Sequence, residues 1–403
     1  MLNKNKIVSF LLIFLFISST FITIRNTVSA SELVDDLWST KTPMSQARAD
    51  LGVVAVDGKI YAIGGYTAIG HEWWGTYPTN YTNTNERYDP ATNMWTTLEP
   101  MPTSRANFAI IAYQSKIYCI GGESIDKPGN YNKYCIVEVY DTVTNSWSTK
   151  NDIPFDGLDI QVNIVNGKIF AISGYDLFMY DSMADKWTKK TSVPLPDDLY
   201  NGFGIVCDFT IVLDNKIMVY FRYTYALLMG KGKVMIYDNT ANVWSEGKPQ
   251  TTGIYGKFNQ VPYGISVSVA DSCITTGTYA PKKVYVWGLL TAGSDKPTLS
   301  NWAYDPVEDT WLIVKNMSTY RAQFGVAVVN DIIYVVGGKD VEDAIFFSIN
   351  EQYVPKGYTG TISPDTTPTA PTSNSNTLII GIVIIVAIAV VTTGILITKK
   401  KQK

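Results

Sequence analysis

One octapeptide pattern recurs five times in this chain: Tyr-Asp, three variable residues, Asn or Asp, one more residue, and Trp. It reads YDPATNMW (88–95), YDTVTNSW (140–147), YDSMADKW (180–187), YDNTANVW (237–244) and YDPVEDTW (304–311). Upstream of the first four copies, by 14 to 31 residues from start to start, lies a second string: DGKIYAIGG (57–65), SKIYCIGG (115–122), NGKIFAISG (166–174), DNKIMVYF (214–221) and, near the end, NDIIYVVGG (330–338). Alternating Ile, Tyr and Val mark a strand, and Asp-Gly or Asn-Gly before it is the two-residue loop of a type I′ hairpin. An apolar run precedes each loop, as in LGVVAV (51–56), FAIIAY (108–113) and FGVAVV (324–329). Each unit is therefore a four-stranded meander, called here a, b, c and d, with Gly-Gly closing b, Tyr-Asp closing c and Trp in d.

Such a sheet has two apolar faces and cannot bury either alone. Four-stranded units at periods of roughly 40 to 50 residues predict an all-β β-propeller, whose blades pack face to face around an axis. The ordered Gly-Gly, Tyr and Trp over about residues 36–355 resemble kelch repeats. Gly-Gly suits a close approach of backbones. Tyr and Trp suit contacts between blades, and Asp or Asn suits the c–d turn. The five octapeptides define five c–d hairpins, and FGVAVVNDIIYVVGG (324–338) opens a sixth blade that lacks its own Trp. DDLWSTKTPM (35–44) is expected to supply strand d of that blade through Trp38 and so to close a six-bladed ring. Blade four lacks Gly-Gly, and DSCITTGTY (271–279) is all that blade five offers in that place.

The two ends predict a membrane protein. Residues 1–30 carry Lys4 and Lys6, an apolar run and a small-residue end at Val28 and Ala30, which describe a secretory signal peptide. An uncleaved anchor is the alternative. The uncharged segment 377–398 is long enough to cross a bilayer as one helix, and Lys399, Lys400, Lys401 and Lys403 would stay in the cytoplasm. The expected order is signal peptide 1–30, propeller ectodomain 31–359, Pro/Thr/Ser-rich stalk 360–376, membrane helix 377–398 and basic tail 399–403, with the propeller outside the cell. Asn80 and Asn316 begin sequons and are candidate glycan sites there. Cys119 and Cys135 are the candidate disulfide, with buried free thiols as the alternative. A net charge of −3, with no basic cluster before the tail, argues against a nucleic-acid partner.

Function is expected on the face that carries the d–a and b–c connections, because those are long and the opposite turns are short. Arg48, Arg105 and Arg321 begin strands a of three blades adjacent in the ring and would point near the central opening, with Tyr320 and Glu123 close by. Arginines there could hold an acidic sugar or a carboxylate-bearing peptide, the alternative being salt bridges inside the ring. The first b–c loop, residues 66–84, carries His71, Trp73, Trp74, Tyr77 and Tyr81. Such rings stack on sugars, anchor a partner protein, or form a small core of their own.

Insertions at 123–134, 221–233 and 279–301 share this face, the last long enough for a hairpin or lid. The kelch resemblance admits enzymes, but a copper oxidase of the galactose oxidase type needs two histidines and this chain has one. Sialidase boxes, CxxC pairs, HExxH and GxSxG are absent from the sequence, so no metal or cofactor is expected. The expectation is a surface module for an extracellular protein or glycan. An epimerase- or lyase-like carbohydrate enzyme using Arg48, Arg105 and Glu123 is the second possibility, and a structural surface-layer component the third.

Overall fold

The computed structural model describes residues 36–72, 75–127, 130–194, 205–223, 232–246, 271–291, 298–308, 310–340 and 345–362. The described residues up to Pro90 and from Met94 to Thr361 belong to one compact unit. The segments 1–30, 377–398 and 399–403, expected from the sequence to be a signal peptide, a membrane helix and a basic tail, lie outside the described residues, among which no helix is long and apolar enough to cross a membrane.

β1 (Leu37–Lys41) precedes the first blade, which is built from β2 (Gly52–Val56) and β3 (Lys59–Ile63), an extra hairpin β4 (Tyr66–Glu72) and β5 (Gly75–Tyr81), then β6 (Asn85–Asp89) and β7 (Met94–Thr97). Blade two repeats the plan with β8 (Ala109–Tyr113), β9 (Lys116–Ile120), the hairpin β10 (Glu123–Lys127) and β11 (Asn130–Lys133), β12 (Val137–Asp141) and β13 (Ser146–Lys150). Blade three is β14 (Gln161–Val165) to β17 (Lys186–Lys189), with β15 (Lys168–Ser173) and β16 (Asp176–Asp181) between. Blade four comprises β18 (Ile205–Leu213), β19 (Lys216–Tyr223), β20 (Gly232–Asp238) and β21 (Val243–Glu246). Blade five comprises β22 (Asp271–Ile274), β23 (Val284–Thr291), β24 (Thr298–Asp305) and β25 (Thr310–Val314). Blade six is β26 (Gly325–Val329), β27 (Ile332–Val336) and β28 (Asn350–Val354), completed by β1, which pairs with β28. Among the described residues six four-stranded antiparallel sheets are thus present beside the two hairpins, and strands β2, β8, β14, β18, β22 and β26 are neighbours in a closed ring around the axis.

The repeated letters act at three levels. In the a–b turns of blades one to four and six, both central residues have positive φ, as at Asp57 (48°) and Gly58 (74°), which is the type I′ geometry read from the sequence. In the c–d turn, Asp141 accepts from the backbone N–H of Val143 and Thr144 and pairs with Lys116 at the head of strand b. Lys59 with Asp89 and Lys168 with Asp181 repeat the pair. The Asn or Asp before Trp takes the left-handed conformation, as at Asn145 (φ 53°), and its side chain accepts from the Tyr140 hydroxyl at 2.6 Å.

Trp then stitches one blade to the one before it. Trp95 Nε1 donates to Thr42 O, Trp147 to Glu99 O, Trp187 to Asn151 O and Trp244 to Thr191 O. Trp38 donates to Lys315 O at 2.9 Å, so the N-terminal strand closes the seam between blades five and six by the same bond. Gly-Gly belongs to the seams as well. Gly65 (φ +100°) donates to Arg105 O of the next blade, and a Cβ on Gly64 would lie 2.7 Å from that carbonyl.

Two expectations are corrected. DSCITTGTY contains strand a of blade five and the start of its a–b connection, while strand b is β23 within the segment read as an insertion. Residues 279–301 do form a hairpin, but much of it is the b–c pair of the blade itself. Cys119 and Cys135 are not joined in a disulfide: the register sets Cys119 opposite Glu138 rather than Cys135, and both are thiols. Cys119 is buried, which pushes its thiol up to about 12, whereas exposed Cys135 donates to Phe155 O.

Candidate binding face

The three arginines of the repeat lie inside the blades. Arg48, Arg105 and Arg321 have no exposed surface. Arg48 bonds Glu86 Oε2 at 2.8 Å, Ala62 O at 3.0 Å and Thr84 O at 2.9 Å, tying the d–a connection to strands b and c. Arg105 pairs with Glu138 and donates to Gly121 O and Cys119 O, and Arg321 pairs with Glu351 and donates to Val335 O. A hydroxyl completes each pair, from Ser45, Thr103 and Ser318. Burial lowers the Arg48 guanidinium to about 10 and Arg321 also downward, with Glu86 and Glu351 opposing. The salt bridge inside the ring is therefore the arrangement present, and these groups offer an anion nothing at the surface.

A sequence signal pointed to those partners. Glu stands two residues before the strand-c Tyr in blades one, two and six, at Glu86, Glu138 and Glu351, which are the blades that carry Arg. Blades three, four and five have Phe178, Met235 and Trp302 there.

What the repeat leaves variable reaches the axis. The Arg-Ala pair is followed by Asp50, Asn107 and Gln323 in the three Arg blades, and Asp159 takes the corresponding place in blade three. All four have positive φ, between 48° and 56°. Asp50 N donates to Gln323 O at 2.9 Å and Asn107 N to Asp50 O at 3.1 Å, so the backbones of blades six, one and two are linked in sequence along the rim. Gln323 Nε2 donates to Asp50 Oδ2 at 2.8 Å and its Oε1 accepts from the Tyr66 hydroxyl at 2.9 Å. Behind the rim lies an axial cavity of ≈390 Å³, where Gln161, Thr210 and Ser272 add polar groups to the apolar inner strands. Burial first, then the charges of Glu123 and Asp159, push the Asp50 carboxyl up to about 7, with Lys339 opposing. Glu123 is shifted upward by burial and by Asp159, against Lys133.

The residues after Gly-Gly, namely Tyr66, Glu123 and Lys339, bridge back to Ala49, Ala106 and Ala322, so they flank the rim. From Tyr66 and Glu123 the extra hairpins β4–β5 and β10–β11 begin, and β10 lies against β5. Part of the first loop does form a small core: Tyr66 packs on Phe346 with ring centroids 5.5 Å apart, beside Ile69 and Tyr81. Tyr77 sits opposite Gly70, half-buried, its ring occupying the space a Gly70 side chain would need. Trp73 and Trp74 lie outside the described residues. Tyr320 is half-buried and packs on the core between blades five and six rather than on the rim. Asn80 and Asn316 are both exposed. Among the described residues no group of His, Cys, Asp and Glu is placed to hold a metal.

The family profile described as Kelch motif matches residues 47–102, 104–152 and 320–359. Kelch-like protein 25 of Xenopus tropicalis is 26% identical over 39% of this chain and 27% of its own length. Kelch repeat and BTB domain-containing protein 12 of Danio rerio is 27% identical over 44% of the chain and 32% of its own. Kelch-like protein terF of Aspergillus terreus is 32% identical over 32% and 28%. The chain thus spans only about a quarter to a third of the length of these curated relatives. Among solved structures, that of YjhT superposes with a TM-score of 0.54 over 77% of this chain and 95% of its own, at 12% identity, a likeness of fold.

Proposed function

For a chain that is a kelch-repeat β-propeller, we propose the role of a binding module that holds an extracellular protein through its long-loop face, displayed from a membrane by a single C-terminal span. The observation that carries this reading is the division of labour in the repeat. Arg, Glu, Tyr, Trp and Gly-Gly are consumed in seams between and within blades, while the variable positions gather at one rim beside two adjacent hairpins. A rigid ring that presents irregular loops on one face is what recognition needs, since the scaffold fixes loops that carry specificity. Aromatic residues in the first hairpin suit anchoring in a partner, or stacking on a glycan carried by one.

The surface location rests on the signal-like residues 1–30, the Pro/Thr/Ser-rich 360–376 and the uncharged 377–398 followed by lysines. Accessible Asn80 suits a glycan in that setting. The test is capture of partners from a cell-surface extract by the full chain and by its Trp73→Ala/Trp74→Ala form. Loss of capture with an unchanged melting temperature supports the face; equal capture by both forms rejects it.

Asp50 favours a second reading. A carboxyl near neutrality beside Glu123, at the mouth of a cavity, is suited to proton transfer in an epimerase- or lyase-like carbohydrate enzyme. Turnover of sialic or uronic acids that disappears in Asp50→Asn would support that reading, and no turnover by the native chain would reject it.

A further inference from the structure

The outer strand d of each blade has one edge without a strand partner among the described residues. Such edges invite pairing with another chain, and polar side chains on them discourage it. Five blades follow that rule after their Trp: Thr96-Thr97, Ser148-Thr149, Thr188-Lys189, Ser245-Glu246 and Ser39-Thr40. Blade five breaks it, because β25 continues as Leu312-Ile313. Both are exposed, Leu312 by 46% and Ile313 by 63%. Successive residues of a strand point to opposite faces, so this edge is apolar on both sides. Strand d elsewhere is solvated on its outer positions.

We propose that β25 is a self-pairing edge through which two copies of this chain join antiparallel about a two-fold axis. The charge pattern selects a second copy as the occupant. The strand runs from exposed Glu308 before it to exposed Lys315 after it, so antiparallel pairing brings the acidic end of each copy alongside the basic end of the other. A two-fold axis perpendicular to the paired sheets sets one residue opposite its own counterpart. Centring the pair on Leu312 stacks the apolar positions at the middle and leaves the charges at both ends. Five-residue strands bury less than the ~1,200 Å² of a stable interface, so the dimer is weak in dilute solution and favoured where membrane tethering raises the local concentration.

The geometry gives a direct test. Residues opposite each other in an antiparallel pair have Cα atoms about 4.5–5.5 Å apart, within disulfide reach. In the full-length chain, Leu312→Cys is expected to form a disulfide-linked homodimer. Ser148→Cys, the corresponding position on β13, and the native chain with its own thiols are expected to form at least about tenfold less, a difference of ~1.4 kcal/mol in pairing. Adding Ile313→Thr, which restores the residue type of the other blades, removes the cross-link. Sedimentation of the native chain in detergent is expected to show a concentration-dependent dimer, which Ile313→Thr, with an unchanged melting temperature, shifts to monomer. Equal cross-linking by the two cysteine variants, no dimer in sedimentation, cross-linking of the Leu312→Cys variant to a different protein, or a glycan on Asn316 covering this edge would each overturn the proposal. None of these readouts uses the long-loop face, so its failure leaves this one standing and the reverse holds too.

Discussion

Each residue that recurs has a bond that explains its recurrence, whereas the carboxyl brought nearest neutrality, that of Asp50, stands at a position that varies between blades. Arg105 and Glu138 are fully enclosed and satisfied by one another and by carbonyls, so removing one partner strands a buried charge. Glu138→Ala is expected to cost about 3–5 kcal/mol in chemical denaturation. Asp50 behaves in the opposite sense. Its folded carboxyl is raised to about 7 from an ordinary value near 4, so its contribution to stability is complete below the unfolded value and is lost as pH rises through the folded one. Asp50→Asn keeps the left-handed backbone that Asn tolerates and removes the charge. That variant is expected to melt about 2–4 °C above the native chain at pH 8, with the gap closing toward pH 4. The arginines were legible in sequence as a repeated feature of the ring, with salt bridges inside it as one of two readings, but the enclosure of each beside a particular glutamate was not. It depends on Glu two places before Tyr, which reads as part of an ordinary strand until the register places it beside Arg.

Among the elements, β1 has the greatest leverage. It contributes the outer strand of blade six, and Trp38 makes the seam bond to Lys315 O while its ring lies 5.4 Å from Trp287 and 5.0 Å from Tyr353. Trp38→Ala is expected to destabilise the ring by roughly 2–3 kcal/mol, below the value for a fully buried Trp because this one is half-exposed. Hydrogen exchange should then quicken first in β28 and β1. The closure was visible in DDLWSTKTPM because Trp and its polar followers match the other outer strands. The a–b half of the fifth blade was not legible: its inner strand lacks the repeated letters, and KKVYVWGLL carries no Gly-Gly to mark strand b. Nor could the disulfide be judged from spacing, since a hairpin that carries an inserted second hairpin no longer sets Cys119 against Cys135.

For the molecule as a whole, six blades of one plan make a ring whose two faces differ in kind. One face has tight type I′ and Asx-bonded turns. The other carries the axial rim, the cavity behind it and two extra hairpins. The number of blades and the ring's closure followed from the repeats, whereas the acidic rim did not, because no single segment contains Asp50, Asn107, Asp159 and Gln323. The central claim is that a partner occupies this second face, and hydrogen exchange of the full chain with and without a captured partner tests it most directly. Protection is predicted in β4, β5, β10 and β11 and in the amides of the rim, with the c–d turns at 142–145, 182–185 and 239–242 unchanged. Protection confined to those turns, with the hairpins exchanging as in the free chain, would contradict it.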